Sequence, residues 1–124
     1  MNEVISIRQP VANAAVKSIQ PQILECFYID SGLNTQQKQI SESLAIERVW
    51  LFMLSHEHQI FGEIAPTAPD FIIKYKDASG KDRQMFYFIG REEFVNDNGK
   101  QGFLTTDQSL FVTRLVKELF KELR

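Results

Sequence analysis

Asp70–Gly90 reads DFIIKYKDASGKDRQMFYFIG and carries the strongest structural signal in the chain. Two runs rich in aromatic and β-branched residues flank a turn-like segment, Asp77–Asp82, in which Gly80 can adopt a positive φ. The first run, Phe71–Lys76, alternates between apolar and polar positions, whereas the second, Met85–Ile89, is apolar on both faces. The pattern predicts a β-hairpin whose second strand is central in a sheet and whose first strand lies nearer an edge or solvent.

The C-terminal segment predicts an amphipathic helix over residues 107–123. Its apolar residues recur at helical spacing, namely Val112, Leu115, Val116, Leu119, Phe120 and Leu123. Thr105 and Gln108 form the pattern of a capping box, and Asp107 places a negative charge in the first turn. We expect this helix to cover one face of the sheet.

The N-terminal third predicts helices, although less distinctly. Val11–Gln20 has the spacing of a short helix rich in small residues. Gln22–Asp30 fits either a helical turn or a strand, because its aromatic and β-branched run favours the pleated surface. Asn34 and Gln37 match a capping box, and the Gln- and Lys-rich stretch Thr35–Glu47 then predicts a surface helix.

Arg48–Ile64 fits two interpretations. Val49–Leu54 is a run of six apolar residues, which suits a buried strand, and Gln59–Ile64 can return beside it as the second arm of a hairpin. A helix that extends through Val49–Leu54 is the alternative, but it would be apolar all round. The hairpin is favoured. The sequence thus predicts one α+β domain over residues 1–124, with an antiparallel sheet of about four strands at 48–90 whose one face is covered by N-terminal helices and the C-terminal helix.

Composition limits the classes of function. The 124 residues are 44% hydrophobic and carry a net charge of −2, which does not favour a polyanionic or membrane partner. Cys26 is the single cysteine, so no intramolecular disulfide can form. The N-terminal stretch MNEVISIRQP lacks the features of a signal peptide, and Val49–Leu54 is far shorter than a membrane span. We expect a cytoplasmic protein.

Few residues suggest chemistry. His56 and His58 lack the HExxH spacing and a third ligand for zinc. Pro69 followed by Asp70 resembles the opening of the PD-(D/E)xK metal nucleases, but the acid-x-Lys triplet has no counterpart downstream. Cys26 has no activating neighbour. We therefore predict no catalytic, metal-binding or cofactor-binding residue, and a metal-dependent enzyme using His56, His58 or Asp70 is the weakest of three hypotheses.

The basic residues of the hairpin offer one candidate contact surface. Lys74, Lys76 and Arg83 stand beside aromatic residues, an arrangement that can bind single-stranded nucleic acid, although lysines on a strand also protect an edge from aggregation. The favoured hypothesis is a small intracellular, non-enzymatic protein-binding module, like the immunity, antitoxin or adaptor proteins of bacteria. Its partner would be another protein, bound by the open sheet face or the Thr35–Glu47 helix. A nucleic-acid-binding strand face is the alternative, and a homodimer is compatible with either.

Overall fold

The computed structural model describes residues 20–56, 60–63 and 68–120. This part of the chain forms seven strands, two α-helices and a short 3₁₀ helix at Ile89–Arg91. The strands are β1 (Leu24–Ile29), β2 (Thr35–Ile40), β3 (Ile60–Glu63), β4 (Phe71–Lys76), β5 (Asp82–Phe88), β6 (Glu93–Val95) and β7 (Lys100–Phe103). The helices are α1 (Ser43–His56) and α2 (Thr106–Leu119). Neither of these helices has the length and apolarity needed to cross a bilayer.

All seven strands belong to one sheet in the order β2-β1-β4-β5-β6-β7-β3. Each neighbouring pair is antiparallel. Short connections join β1 to β2, β4 to β5 and β6 to β7. Helix α1 leads the chain from β2 at one edge of the sheet to β3 at the other. The prediction of an α+β fold with an antiparallel sheet is confirmed.

The β4–β5 hairpin forms where the sequence predicts it. Phe71 pairs with Tyr87 and Lys76 with Asp82, and the turn places Gly80 at a φ of 84°. Strand β5 is the fourth of seven, so its prediction as the central strand is confirmed. Strand β4 is the third of seven and lies one strand nearer an edge than β5, and its Lys74 and Lys76 are exposed, so the prediction that it lies nearer an edge or solvent is confirmed. It is not itself an edge strand, because β1 pairs along its other side. The polar positions of β4 reflect one solvated face.

The predicted surface helix Thr35–Glu47 is wrong. Thr35–Ile40 is strand β2 and pairs with β1 without interruption, while the helix begins only at Ser43. The preceding turn explains the difference. The Asp30 carboxylate accepts hydrogen bonds from the backbone N–H groups of Gly32 and Asn34, which closes a hairpin onto β1. The backbone hydrogen bonds between β1 and β2 outweigh the helical propensity of the Gln and Lys residues in β2. Gln22–Asp30, for which helix and strand stayed open, contains a strand.

The favoured hairpin at Arg48–Ile64 is also wrong, because Val49–Leu54 lies within α1. This helix tolerates apolar residues around most of its circumference because it packs on two neighbours. Phe52 stacks on Phe111 of α2 at 4.4 Å and on Tyr87 of the sheet at 5.7 Å between ring centroids. Leu51 is left 47% exposed. The returning strand exists as β3, but it pairs with β7.

Two further predictions concern the ends of the chain. The C-terminal helix is confirmed as α2 from Thr106 to Leu119, and Thr105 and Gln108 form the predicted capping box. The predicted helix at Val11–Gln20 lies, except for its last residue, outside the described residues, as do residues 121–124. The sheet thus extends from Leu24 to Phe103, well beyond the predicted limits of 48–90.

Both helices pack on one side of the sheet, which we call the inner face. The core there is fully or almost fully buried and includes Leu24, Cys26, Phe71, Ile73, Tyr87 and Phe94 from the strands and Ile46, Met53, Val112 and Val116 from the helices. Because side chains alternate along a strand, the residues between these positions point to the opposite side, which we call the outer face. No described helix lies over the outer face, although Phe88 and Val95 on that face are buried.

Candidate functional site

An apolar row crosses the middle of the outer face. Phe27, Ile72 and Phe86 are directly opposite one another on β1, β4 and β5, and each is half-buried. Lys74 follows Ile72 on the same face, and its Nζ lies 5.0 Å from the centre of the Phe27 ring. A cation over an aromatic ring at this distance is weakly attractive. We call Phe27, Ile72, Lys74 and Phe86 the outer-face patch.

A polar cluster borders the patch toward β6 and β7. The Glu93 carboxylate accepts a hydrogen bond from Gln101 Nε2 at 2.7 Å and lies 2.7 Å from an Arg91 guanidinium nitrogen. The guanidinium of Arg91 also stacks over the ring of Phe88 at 5.2 Å, and Phe88 is buried. The outer face therefore changes from half-buried apolar side chains on β1, β4 and β5, through the buried Phe88 and Val95, to a hydrogen-bonded polar border.

An open cleft of about 880 Å³ lies at the other border of the patch, where β1 begins and the β4–β5 turn folds over. All three predicted contact residues, Lys74, Lys76 and Arg83, line this cleft. Three acidic side chains, Glu25, Asp77 and Asp82, line it as well. The structure thus brings the predicted residues together, but among acidic residues of equal number, so their field is largely compensated.

Two of the three basic groups are bound to carboxylates. Lys76 Nζ lies 2.8 Å from Asp82 Oδ1, in a largely exposed pair whose energy is small. Arg83 Nε donates to Asp97 at 2.8 Å, and Nη1 lies 3.4 Å from Asp77. Arg83 thereby ties together the turns that follow β4 and β6. Of the three predicted residues, Lys74 is the one whose ammonium group lies beside the apolar row.

The acid at the centre of the β4–β5 turn has a structural role. Hydrogen bonds from Ser79 and from the backbone N–H of Lys81 lower the pKa of Asp77 to about 2. The same carboxylate accepts from the Ser79 backbone at 2.9 Å, in an Asx-turn arrangement. Asp77 therefore stays ionised and holds the turn in shape, and its carboxylate also receives Arg83.

His56 has a role in the core. Its side chain is fully buried at the C-terminal end of α1, and its Nε2 lies 3.0 Å from the hydroxyl of Tyr87. The rings of Phe52 and Phe94 lie at centroid distances of 4.6 and 4.7 Å. Burial lowers the pKa of His56 to about 4, so the imidazole is neutral at pH 7. His58 lies outside the described residues.

Asp70 joins three strands. Its Oδ2 accepts the N–H of Ile89 at 2.9 Å, its own N–H donates to the carbonyl of Tyr87, and its carbonyl accepts from Ile29. Asp70 and His56 therefore serve separate structural networks. Across residues 20–56, 60–63 and 68–120, no group of three or more His, Cys, Asp or Glu side chains is placed to hold a metal ion.

Cys26 lies on the inner face beneath the helices and is fully buried. Burial raises the pKa of its thiol to about 12, because the apolar surroundings disfavour the thiolate. At neutral pH the group is a protonated thiol that solvent does not reach. The structure gives it the role of a small core residue.

The sequence indicates aromatic residues beside Lys74 but not that Phe27 is the one in contact with it. Phe27 lies in a segment that fits either a helical turn or a strand, and Phe86 lies in a strand whose sequence is apolar on both faces. The described residues form a two-layer α+β fold with a partly apolar sheet face away from both helices. Comparisons with protein-family models, with curated proteins and with solved structures give no match.

Proposed function

We propose that this chain is a non-enzymatic protein-binding module of the immunity, antitoxin or adaptor kind, and that it binds its partner through the outer-face patch. The observation that carries the proposal is the row Phe27–Ile72–Phe86, which is aligned across three adjacent strands on the face away from both helices. Gln37 on β2 and Lys74 on β4 border this row, and the buried Val95 continues it on β6. An apolar centre with polar residues at its edge is the usual anatomy of a protein–protein interface.

The patch also indicates what the partner presents. An apolar or aromatic side chain would cover the Phe27–Ile72–Phe86 row and bury its remaining accessible surface. A carboxylate at the edge of that partner would meet Lys74, whose ammonium group is already held beside the Phe27 ring. Such a charge contact at the rim steers the encounter more than it adds affinity. We therefore expect binding that weakens modestly with salt.

Nucleic-acid binding is a second candidate, because a base could stack on the Phe27 ring while Lys74 contacts the phosphate beside it. The ion pairs of Lys76 and Arg83 count against it, since a phosphate backbone would have to compete with Asp82, Asp77 and Asp97 for those cations. A protein partner needs no such exchange. Nuclease treatment of a cross-linked adduct distinguishes the two candidates.

Photo-cross-linking from the patch tests the proposal. A photoreactive phenylalanine analogue replaces Phe86 in one variant, and in a matched control it replaces Leu110, which is 47% exposed on α2 in the other layer. Irradiation in the source cells should give a discrete protein adduct from position 86 that is absent from position 110. Equal adducts from both positions, or none from position 86, would contradict the proposal. An adduct removed by nuclease would favour the nucleic-acid candidate.

A further inference from the structure

Strand β2 forms one edge of the sheet, and the backbone shows which of its groups face outward. The Asp30 N–H donates to the Asn34 carbonyl, whereas the Ile29 N–H donates to Asp70 on the β4 side of β1. Hydrogen-bonding direction alternates along an antiparallel ladder. The N–H and C=O groups of Thr35, Gln37 and Gln39 therefore point away from β1, and no described strand pairs with them.

This edge has little of the protection that edge strands usually carry. Its sequence, TQQKQI, contains no proline or glycine, and its six residues pair with β1 without a bulge. Lys38 is its only charged side chain. Natural proteins commonly protect an exposed edge with several charges, a proline or a bulge. A regular, polar and mostly exposed edge of this kind is a template for another strand.

We propose that β2 pairs antiparallel with β2 of a second copy of this chain, about a two-fold axis perpendicular to the sheet. In the register that the edge favours, Gln37 lies opposite Gln37 of the second copy, and Thr35 lies opposite Gln39. The outward groups of all three residues then meet. Three N–H groups from each copy give six backbone hydrogen bonds, and the two sheets join into one.

Charge selects this register over its neighbour. With Gln37 at the axis, Lys38 lies opposite Gln36 of the second copy, where an amide oxygen can accept from its ammonium group. A shift that places Lys38 at the axis would set two lysines directly opposite each other, which is destabilising, and would leave fewer of the outward groups paired. The register with Gln37 at the axis is thus self-complementary, as a symmetric dimer requires.

Two exposed leucines near the ends of β2 independently support a second copy. Leu33 is 76% and Leu44 72% exposed, and they lie beyond opposite ends of β2. Antiparallel pairing brings opposite ends together, so Leu33 comes opposite Ser41 of the second copy, three residues before Leu44. Each end of the pairing would therefore gain apolar contact that a single copy lacks. The axis also leaves both outer-face patches on the same side of the joined sheet.

The oligomeric state tests the pairing. Sedimentation equilibrium of the full chain over a range of concentrations should show a reversible dimer. Gln37→Pro should give a monomer with an unchanged far-UV circular dichroism spectrum, because it removes an outward N–H that the monomer does not use. Gln37→Ala, which keeps the N–H, should dimerise like the parent. A parent chain that stays monomeric, or a dimer that survives Gln37→Pro, would overturn the proposal.

The register has its own test. In Gln37→Cys the two thiols lie across the axis on residues whose Cα atoms are about 5.5 Å apart, within the range of a disulfide. In Lys38→Cys they are offset by two residues and are too far apart. Mild oxidation should therefore link the first variant into dimers and leave the second unlinked, and equal linking of both would refute the register. Neither result depends on the outer-face patch, so failure here leaves the proposed function standing.

Discussion

The buried pair of His56 and Tyr87 predicts a steep loss of stability in mild acid. Burial lowers the pKa of His56 to about 4 in the folded protein, whereas its ordinary value is 6.5. Between these values the unfolded chain binds a proton that the folded chain excludes. The free energy of unfolding therefore falls as the pH decreases from about 6.5 to about 4. Above about pH 6.5 His56 is neutral in both states and lowers the stability no further.

The size of the effect follows from the pKa difference. The pKa of His56 in the folded and unfolded chains differs by about 2.5, and each pKa unit corresponds to about 1.4 kcal/mol. The titration of His56 therefore lowers the free energy of unfolding by about 3 kcal/mol across the whole window. Between pH 7 and pH 5 the expected loss is about 2 kcal/mol. For a small domain this is a substantial fraction of a total stability of about 5–15 kcal/mol.

Matched variants separate His56 from the carboxylates that titrate in the same range. His56→Phe keeps a ring between Phe52 and Phe94 but leaves the Tyr87 hydroxyl buried without its partner, so we expect it to cost about 1–3 kcal/mol at pH 7. The double variant His56→Phe/Tyr87→Phe removes both polar groups and should approach the stability of the parent. Both variants lack the titrating imidazole.

The assay is urea unfolding at a series of pH values. The stability difference between the parent and the double variant should shift by about 2 kcal/mol in favour of the variant on going from pH 7 to pH 5. The chemical shift of the His56 ring protons should report a pKa near 4 directly. A stability difference that does not change with pH, or a ring that titrates near 6.5, would refute the account of the core.

Three further predictions concern single residues. Cys26 should not react with a thiol reagent at neutral pH until the protein unfolds, because it is fully buried and protonated, and rapid labelling of the folded protein would contradict this. Asp70→Ala should lower the free energy of unfolding by about 1 kcal/mol, because the Ile89 N–H loses its acceptor. Asp70→Asn keeps an acceptor oxygen and should change the stability little, so equal melting temperatures for the two variants would argue against this role. Gly80→Ala should cost about 1 kcal/mol because its φ is 84°, whereas Gly90→Ala, which meets no neighbour and has no positive φ, should not; denaturant midpoints compare the two.

Local pattern predicted the parts of the fold that depend on near neighbours. The β4–β5 hairpin has alternation, a glycine that can take a positive φ, and two strands adjacent in sequence. Helix α2 has regular spacing and a capping box that closes within four residues. In both cases the interactions that stabilise the element lie within it, so the sequence contains the information in one place.

The errors arose where distant partners decide the structure. Thr35–Ile40 has a composition that suits a helix, yet its ladder with β1 makes it a strand. Val49–Leu54 was assigned to a strand because a helix apolar all round needs neighbours on several sides, and α1 has them in the sheet and in α2. The segment lengths and periods alone could not show either contact.

The candidate site was predictable only in part. The basic residues stood out as charges, and the cleft does gather Lys74, Lys76 and Arg83. Their pairing with acids from two turns depends on the tertiary fold, as does the alignment of Phe27 with Ile72 and Phe86. Strand β5 is apolar on both faces, so its sequence pattern does not show which face the helices cover.

The affinity of patch variants for the cross-linked partner measures how much the outer-face patch contributes to binding. Ile72→Thr/Phe86→Thr shortens the apolar row with residues that keep strand propensity, and Leu110→Thr is the control on α2. Isothermal titration calorimetry should show at least a tenfold weaker binding for the patch variant, which corresponds to about 1.4 kcal/mol, and unchanged binding for the control. Unchanged binding of a folded patch variant, or an equal loss in the control, would contradict the claim that this face binds the partner.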